Sequence, residues 1–503
     1  MSEKIGIIDL GSNSIRLMLM DVYKNGDYKL IDEVKEMVRL SENMGPEKVL
    51  KLPAIERTVN GIRFFKKICD NDKITRIIAV ATAAIRDAKN KDLIMRKLYT
   101  STNINFKILT GMEECYYDFL GVIRTIDIPS GYIMDIGGAS TQLIKFKNNS
   151  IIDCYSLPMG TTTLAERFLD RDKSSEEQIS NMERYIKEEF LSLPWIGKDE
   201  DLPLICVGGT LRNLCKVDMH RRNYSYKKIH NYIMDTASAV EIYDDYEFSD
   251  LKTRQNIPGL SKERADIFLS GIGILKCFIE INQPKNIVMS GCGLRDGIFF
   301  DYLIKTQSNY LKTSVLQASL DNAMKYYHIN EAHAYQVWKL GQSIFEQLKP
   351  LHNLGEWEKK LLTVATLLHD CGVTINYYDK HKHNFYVISN STFYGLDHRE
   401  ILLSAFATSA YQHPDIQNAR QRYENILQDG DDAIVKKLAV ILRLAESLDK
   451  SELGIVKDVI CNINQNEVVI KVISGENTQL EIANASKYAQ QFYRIFNKKL
   501  RVL

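Results

Sequence analysis

The chain carries two hydrophobic rhythms. Up to about residue 304, short runs of β-favouring apolar residues end in Gly-rich turns and alternate with helical spacing. From residue 311 to about 450 the apolar positions recur at threes and fours. IGIIDLGSNSIRLMLMDV from Ile5 reads as strand, turn and strand, and Lys29 to Val38 as a third strand. A helix is predicted from about Pro53 to Cys69, a strand over Arg76 to Ala81, a helix from Lys91 to Thr100 and a strand over Asn105 to Leu109. Another helix starts near Met112, where Thr110 and Glu113 have capping-box spacing. YIMDIGGASTQLIKF from Tyr132 again reads strand, turn, strand. LPLICVGGT (202–210) and NIVMSGCGLRDG (286–297) each run an apolar strand into glycines. EWEKKLLTVATLLHD and DDAIVKKLAVILRLAESLD typify the helical stretch. The tail returns to alternation in KDVICNINQNEVVIKVI and closes with a helix near Ala485 to Phe496.

Turn chemistry at Asp127 to Gly131 and the polar TQSNY at Thr306 to Tyr310 mark boundaries. The expectation is an α/β lobe over 1–125, a second over 126–305, an all-α domain over 306–450 and a small α+β domain over 451–503. At 503 residues the chain exceeds one core, since a domain takes about 150.

The strand-turn-strand unit is written twice. Placing Asp9 on Asp135 puts Gly11 on Gly137, Ser14 on Ser140 and Leu17 on Leu143. A Gly/Ser turn between strands is usually a hairpin, but two aligned copies point to a phosphate grip of backbone amides: Gly11, Ser12, Asn13 and Ser14 in one copy, Gly137, Gly138, Ala139 and Ser140 in the other. Gly208, Gly209 and Thr210 add a further turn. The strand-end carboxylates Asp9 and Asp135 suit a hard cation such as Mg²⁺, which takes oxygen ligands directly or through water.

Composition narrows the classes. With 45% hydrophobic and 26% charged residues and a net charge of +1, the chain fits an ordinary globular protein rather than a disordered or nucleic-acid-coating one. Nine Cys without a CxxC pair indicate neither a zinc ribbon nor a disulfide framework and suit a reducing cytoplasm. No apolar run reaches the ~18 residues of a membrane span, so neither secretion nor membrane insertion is expected.

Glu113 closes a helix, whereas Glu114 beside it is either a helix-dipole partner or a carboxylate that orients and deprotonates an attacking water. Arg86, just after a predicted strand, either clamps phosphate oxygens or begins a solvated helix. HRRNYSYKKIH (220–230) is a solvated face or a guide for a long polyanion. Eight of the ten His lie between His328 and His413. His333, the His369-Asp370 pair and Asp449 outline either a divalent metal site or a merely hydrogen-bonded polar cluster.

DLGSNS, ATAAIRDAKN, the GMEE helix, DIGGAST, CVGGTLRNL and IPGLSKERADIFLSG, in this order, resemble the exopolyphosphatase/guanosine pentaphosphate phosphohydrolase family. The resemblance implies duplicated lobes of the actin, Hsp70 and sugar-kinase (ribonuclease H-like) type, with Mg²⁺- or Mn²⁺-dependent release of terminal phosphate from inorganic polyphosphate or pppGpp. It implies Glu114 as base, Asp135 at the metal, and the two Gly/Ser loops and Arg86 on phosphates. It also implies an HD-type helical domain with His333, His369, Asp370 and Asp449 on a second metal, and a homodimer. The usual DIGGGSTE is altered to Ala139 and Gln142. Gln142 lacks the charge that would help hold Mg²⁺ but can reach it through metal-bound water. The expectation is a cytoplasmic exopolyphosphatase. The alternatives are a pppGpp 5′-phosphohydrolase, a weakened polyphosphate or alarmone sensor, a kinase of the same fold, and an independently active helical domain.

Overall fold

The computed structural model describes residues 2–24, 26–45, 47–198, 201–306, 314–409 and 420–503. They pack as two compact units, Met1–Val315 and Leu316–Leu503. The first unit is built on two mixed sheets of matching design. Strands β1 (Ser2–Leu10), β2 (Ser14–Tyr23), β3 (Tyr28–Met37), β4 (Arg76–Ala81) and β5 (Phe106–Ile108) order as β3-β2-β1-β4-β5. The second sheet holds β6 (Gly131–Ile136), β7 (Thr141–Lys147), β8 (Ser150–Leu157), β9 (Leu204–Val207), β10 (Tyr232–Met234) and β11 (Ile287–Met289), ordered β10-β11-β9-β6-β7-β8. Read from β8, it repeats the first sheet and adds β10 at the far edge.

The repeat extends to register. Asp9 faces Arg16 across β1 and β2, and Asp135 faces Gln142 across β6 and β7. Each turn closes with the same bond, Gly11 N–H to the Ser14 carbonyl at 3.2 Å and Gly137 N–H to the Ser140 carbonyl at 2.9 Å. Directly opposed residues of an antiparallel pair share a face. Arg16 is therefore the first copy's counterpart of Gln142.

Packing crosses the boundary expected at residue 125. Helix Gly111–Ile123 lays Cys115, Phe119 and Val122 on Ile133, Ile144, Phe146 and Val207 of the second sheet, whereas the core of the first lobe runs from Ile8 to Ile104 with Phe106 and Ile108 packed on it. In the opposite sense, helix Leu294–Thr306, late in the chain, returns to the first sheet. Its Tyr302 hydroxyl donates to Glu3 at 2.6 Å, and its Phe299 ring lies 4.9 Å from Tyr28. The two crossing helices meet backbone to backbone. A methyl group on Gly297 would overlap the Tyr117 carbonyl, and one on Gly121 would overlap the Gly293 carbonyl.

In the second unit, helices Glu331–Gln347, Glu356–Leu367, His398–Ser409 and Asp431–Ser447 bury Leu340, Ile344, Leu361, Ala365, Leu402, Leu438 and Leu442. Strands β12 (Asp458–Ile463), β13 (Glu467–Ile473) and β14 (Lys499–Val502) form a small sheet. The tail, expected as a small α+β domain over 451–503, is hydrogen-bonded to helix Glu331–Gln347. Ser343 donates to Asp458 at 2.7 Å, Gln347 to the Val459 carbonyl at 2.8 Å, and the Cys461 amide to Gln347 at 2.8 Å. The boundary expected at Thr306 to Tyr310 lies, beyond Thr306, outside the described residues.

Overpacking a close helix contact costs about 1–3 kcal/mol. Gly297→Ala is expected to lower unfolding stability by that amount in chemical denaturation. Gly475→Ala, where an added methyl meets nothing within 4 Å, should stay within about 0.5 kcal/mol of the parent.

Candidate active site

The two turns face each other inside the first unit. A Cβ on Gly138 would lie 2.9 Å from the Ser12 Cβ. Their carbonyls are directed away: Ser12 accepts from the Ser41 amide (3.0 Å), Asn13 from Val38 (3.1 Å) and Arg39 (2.8 Å), and Gly137 and Gly138 from Thr161 and Thr162 (both 2.9 Å). This leaves the amide side of each turn for an anion. The cleft between them has a volume of about 120 Å³. The expected Asp9, Gly11 to Ser14, Glu114, Asp135, Gly137, Gly138, Ser140, Gln142, Gly208 and Gly209 all line it. Ala139 and Thr210 are not among the lining residues. Thr210 is buried and takes a hydrogen bond from Arg264 at 3.3 Å.

Five carboxylates line the cleft, and four of them, Asp9, Glu114, Asp118 and Asp135, act on one another. Asp118 joins Asp9, Glu114 and Asp135 because it follows Glu114 by four residues, one helical turn along the same face. Burial pushes the Asp9 and Asp135 carboxyls up, against the pull of Arg16 and Arg295 on the first and Arg212 and Arg16 on the second. Asp118 is raised well above the usual range, by burial first and then by Asp135 and Glu114. Glu114 is pushed up to about 7 by burial, with Arg86 opposing and Asp9 and Asp135 adding. One oxygen each of Asp9 and Asp118 is buried with no hydrogen-bond partner. Asp9, Asp118 and Asp135 thus offer an all-oxygen donor set of the kind Mg²⁺ or Mn²⁺ takes.

Two of the expected residues contact Glu114. Arg86 ends the short helix Ala83–Arg86, and its guanidinium donates to the Leu109 carbonyl (3.0 Å) and pairs with the Glu114 carboxylate; it is not among the residues lining the cleft. The Gln142 amide nitrogen lies within hydrogen-bonding distance of Glu114 (3.2 Å), Ser140 (2.9 Å) and Ser156 (3.2 Å), so its two N–H groups are shared among these oxygens and bear on the position of the Glu114 carboxylate. Glu114 is gripped from two sides. The capping box of Thr110 and Glu113 is present, with the Thr110 hydroxyl accepting from the Glu113 amide at 3.2 Å.

Sequence reading missed the cations. Arg16, Arg212, Arg264 and Arg295 line the cleft and also an adjoining cavity of about 400 Å³, where Lys35 and Lys216 join them. Arg16 is pushed down to about 9 by burial and then by Arg212 and Arg295, and Lys35 to about 8 by burial and then by Arg264 and Arg16. Positive groups that depress one another are short of anions. Only Arg295 among these six has an ion pair within the described residues, with Glu33 at 2.9 Å. Aligning the two copies would have exposed Arg16, opposite Asp9 as Gln142 is opposite Asp135. The 220–230 segment, by contrast, spends Arg221 on Asp245 (2.8 Å) and Arg222 on Asp235 (2.8 Å).

In the second unit, His333, His369 and Asp370 bring one ligand atom each within 4.8 Å of the others. Asp449 stands behind them. One of its oxygens accepts from His333 Nδ1 at 2.7 Å and the other from the Gly454 amide at 2.8 Å. Lys380 donates to Asp370 at 2.5 Å and to Glu446 at 3.0 Å.

The model of the Ppx/GppA phosphatase family matches residues 21–306, and that of Ppx/GppA phosphatase domain III matches 315–489. The chain belongs to the Ppx/GppA phosphatase family. It is 27% identical over 403 residues to a guanosine-5′-triphosphate,3′-diphosphate pyrophosphatase of Pseudoalteromonas atlantica, covering 77% of this chain and 75% of that protein. It is 32% identical over 296 residues to a bifunctional 3-dehydroquinate synthase/phosphatase of Fusobacterium nucleatum, 56% of this chain and 44% of that protein. The crystal structure of the Aquifex aeolicus Ppx/GppA family member is 25% identical with a TM-score of 0.53, covering 61% of this chain and 99% of that one. An exopolyphosphatase structure from Cytophaga hutchinsonii, 23% identical with a TM-score of 0.56 over 60% of this chain and 98% of that one, shares the fold. The Ppx/GppA actin-like α/β fold with a helical C-terminal unit is thereby established, and with it a family phosphatase.

Carboxyls raised in the fold favour the native state while protonated, and this contribution is lost as pH rises from the ordinary carboxylate range to the raised value, about 7 for Glu114. Chelator-treated protein should therefore melt lower as pH climbs through that window. Asp118→Asn should raise the metal-free Tm by ~2 °C or more and weaken the rise produced by Mg²⁺, both read by thermal denaturation.

Proposed function

We propose that this family phosphatase is an exopolyphosphatase, releasing terminal orthophosphate from inorganic polyphosphate with Mg²⁺ or Mn²⁺ at the cleft acids. The observation that carries this reading is the basic cavity that continues from the cleft and shares its four arginines. It has room for further phosphoryl groups. Val34 and Ile229 are its only apolar lining, and no aromatic ring among the described residues offers a stacking face for a base.

In this mechanism the terminal phosphoryl lies between the turns, its oxygens on the amides around Ser12 and Gly138. Glu114, ionised and held by Arg86 and Gln142, orients a water and accepts its proton as the water attacks phosphorus. The released chain end keeps its charge neutralised by Arg16, Arg212, Arg264 and Arg295. When bound by Asp9, Asp118 and Asp135, the divalent cation would supply charge neutralisation of phosphoryl oxygens. A second reading, a pppGpp 5′-phosphohydrolase, is supported by the name of the Pseudoalteromonas relative.

Phosphate release from long polyphosphate and from pppGpp, each with and without Mg²⁺, separates the two. Higher kcat/KM on polyphosphate supports the first reading and the reverse overturns it. Glu114→Gln is expected to cut kcat by ~10²–10⁴ on the preferred substrate with little change in KM. Because Arg86 pulls the Glu114 pKa down, Arg86→Met should move the acid limb of the pH–rate profile to higher pH.

A further inference from the structure

The segment 220–230, whose two arginines pair with surface acids, ends in a histidine tied down on both ring nitrogens. His230 is half-buried. Its Nδ1 lies 3.1 Å from the Gly291 amide nitrogen and its Nε2 lies 3.1 Å from the Thr125 carbonyl oxygen. A backbone N–H only donates and a carbonyl only accepts, so the ring is neutral, with Nδ1 accepting from Gly291 and the Nε2 proton donated to Thr125. An imidazolium would set a second proton against the Gly291 N–H, and burial, with the positive charges of Arg212 and Lys228 nearby, also disfavours it.

The two ends of this bridge belong to the cleft. Thr125 follows helix Gly111–Ile123, which carries Glu114 and Asp118, and Gly291 lies in the turn that follows β11. That turn is where Arg212 rests. From the first turn of helix Gly209–Arg221, its Nη2 donates to the Gly291 carbonyl at 3.0 Å and its Nε to the Ser290 carbonyl at 3.5 Å. The peptide joining Ser290 to Gly291 is planar, so fixing its N–H on His230 also fixes the direction of its carbonyl towards Arg212. The imidazole packs directly on the turn, since a Cβ on Gly291 would lie 3.1 Å from the His230 Cβ. Arg212 lines both the cleft and the basic cavity. A guanidinium already resting on two carbonyls loses less rotamer freedom when an anion arrives.

We propose that His230 is a positioning residue for the cleft: as a neutral bridge from Thr125 to Gly291 it fixes the turn that holds the Arg212 guanidinium, and so presents that cation to the phosphate chain. The bridge acts on substrate only through the role given above to Arg212.

Steady-state kinetics on polyphosphate and pppGpp, read on whichever is turned over faster, compare the parent with His230→Ala, Arg212→Met and the double variant. Arg212→Met is expected to raise KM by ~10–100-fold, the range for a hydrogen bond to a charged group. His230→Ala should raise it by ~10-fold with kcat changed less, and the double variant should be no worse than Arg212→Met alone. His230→Gln, whose amide offers one acceptor and one donor, should return KM to within ~3-fold of the parent. Three results overturn the proposal and leave the cleft reading intact: losses that multiply in the double variant, an unchanged KM in His230→Ala beside a raised one in Arg212→Met, and no rescue by His230→Gln. An Arg212→Met enzyme with parental kinetics overturns both the bridge and the role given to Arg212. Should His230→Ala fail to fold, imidazole nitrogen NMR of the parent at neutral pH decides. A neutral His230 protonated on Nε2 supports the bridge, and a ring protonated on Nδ1 overturns it.

Discussion

Four mutually interacting carboxylates held in one cleft are the constraint around which the first unit is organised. Asp9 and Asp135 are fixed there by the duplicated strand-turn-strand, and Glu114 and Asp118 by one helix face. Left alone, such a group opposes folding, because burial and mutual repulsion both penalise the ionised form. The opposing attraction comes from arginines drawn from β2 and from helices far apart in the chain. Every strong influence on Asp118 raises it, so this residue marks where the cleft remains short of positive charge.

Keeping these groups together requires the lobes to be interlocked. Helix Gly111–Ile123 packs on the second sheet although the first sheet precedes it, and helix Leu294–Thr306 packs back on the first. Their glycine-mediated crossing fixes the height of Glu114 above the turns. Arg86, from the first lobe, then reaches Glu114 on a helix seated on the second. The base is thus set by both lobes, and any relative movement between them alters its electrostatics.

Much of this was legible in the sequence because it is local or repeated. The turns, the capping box at Thr110 and the strand Arg76–Ala81 follow from periodicity and side-chain chemistry, and the family follows from the ordered motifs. Asp118 was within reach through its four-residue spacing from Glu114, and Arg16 through the alignment that revealed the duplication. Arg212, Arg264 and Arg295 were not, since a local pattern carries no information about which distant helix ends meet at one cavity. The same limit applies around residue 125 and in the tail at 451–503, where amphipathic faces are evident but their partners are not. Arg86 and Gln142 were recognised as functional positions, but that both meet Glu114 depends on packing between distant segments and is not visible in a local pattern.

The difference between the two copies is as informative as their likeness. At one shared register position the first copy places Arg16 opposite Asp9, and the second places neutral Gln142 opposite Asp135. Gln142 instead turns to Glu114, so the second copy supplies base orientation while the first supplies a cation that also borders the basic cavity. In the proposed mechanism the duplication acquires a direction, with water activation at the Glu114 side and an anionic chain received at the Arg16 side. That polarity is what a hydrolase removing one terminal group from a longer polyanion needs, because the attacking water and the departing chain must occupy opposite sides of the phosphorus.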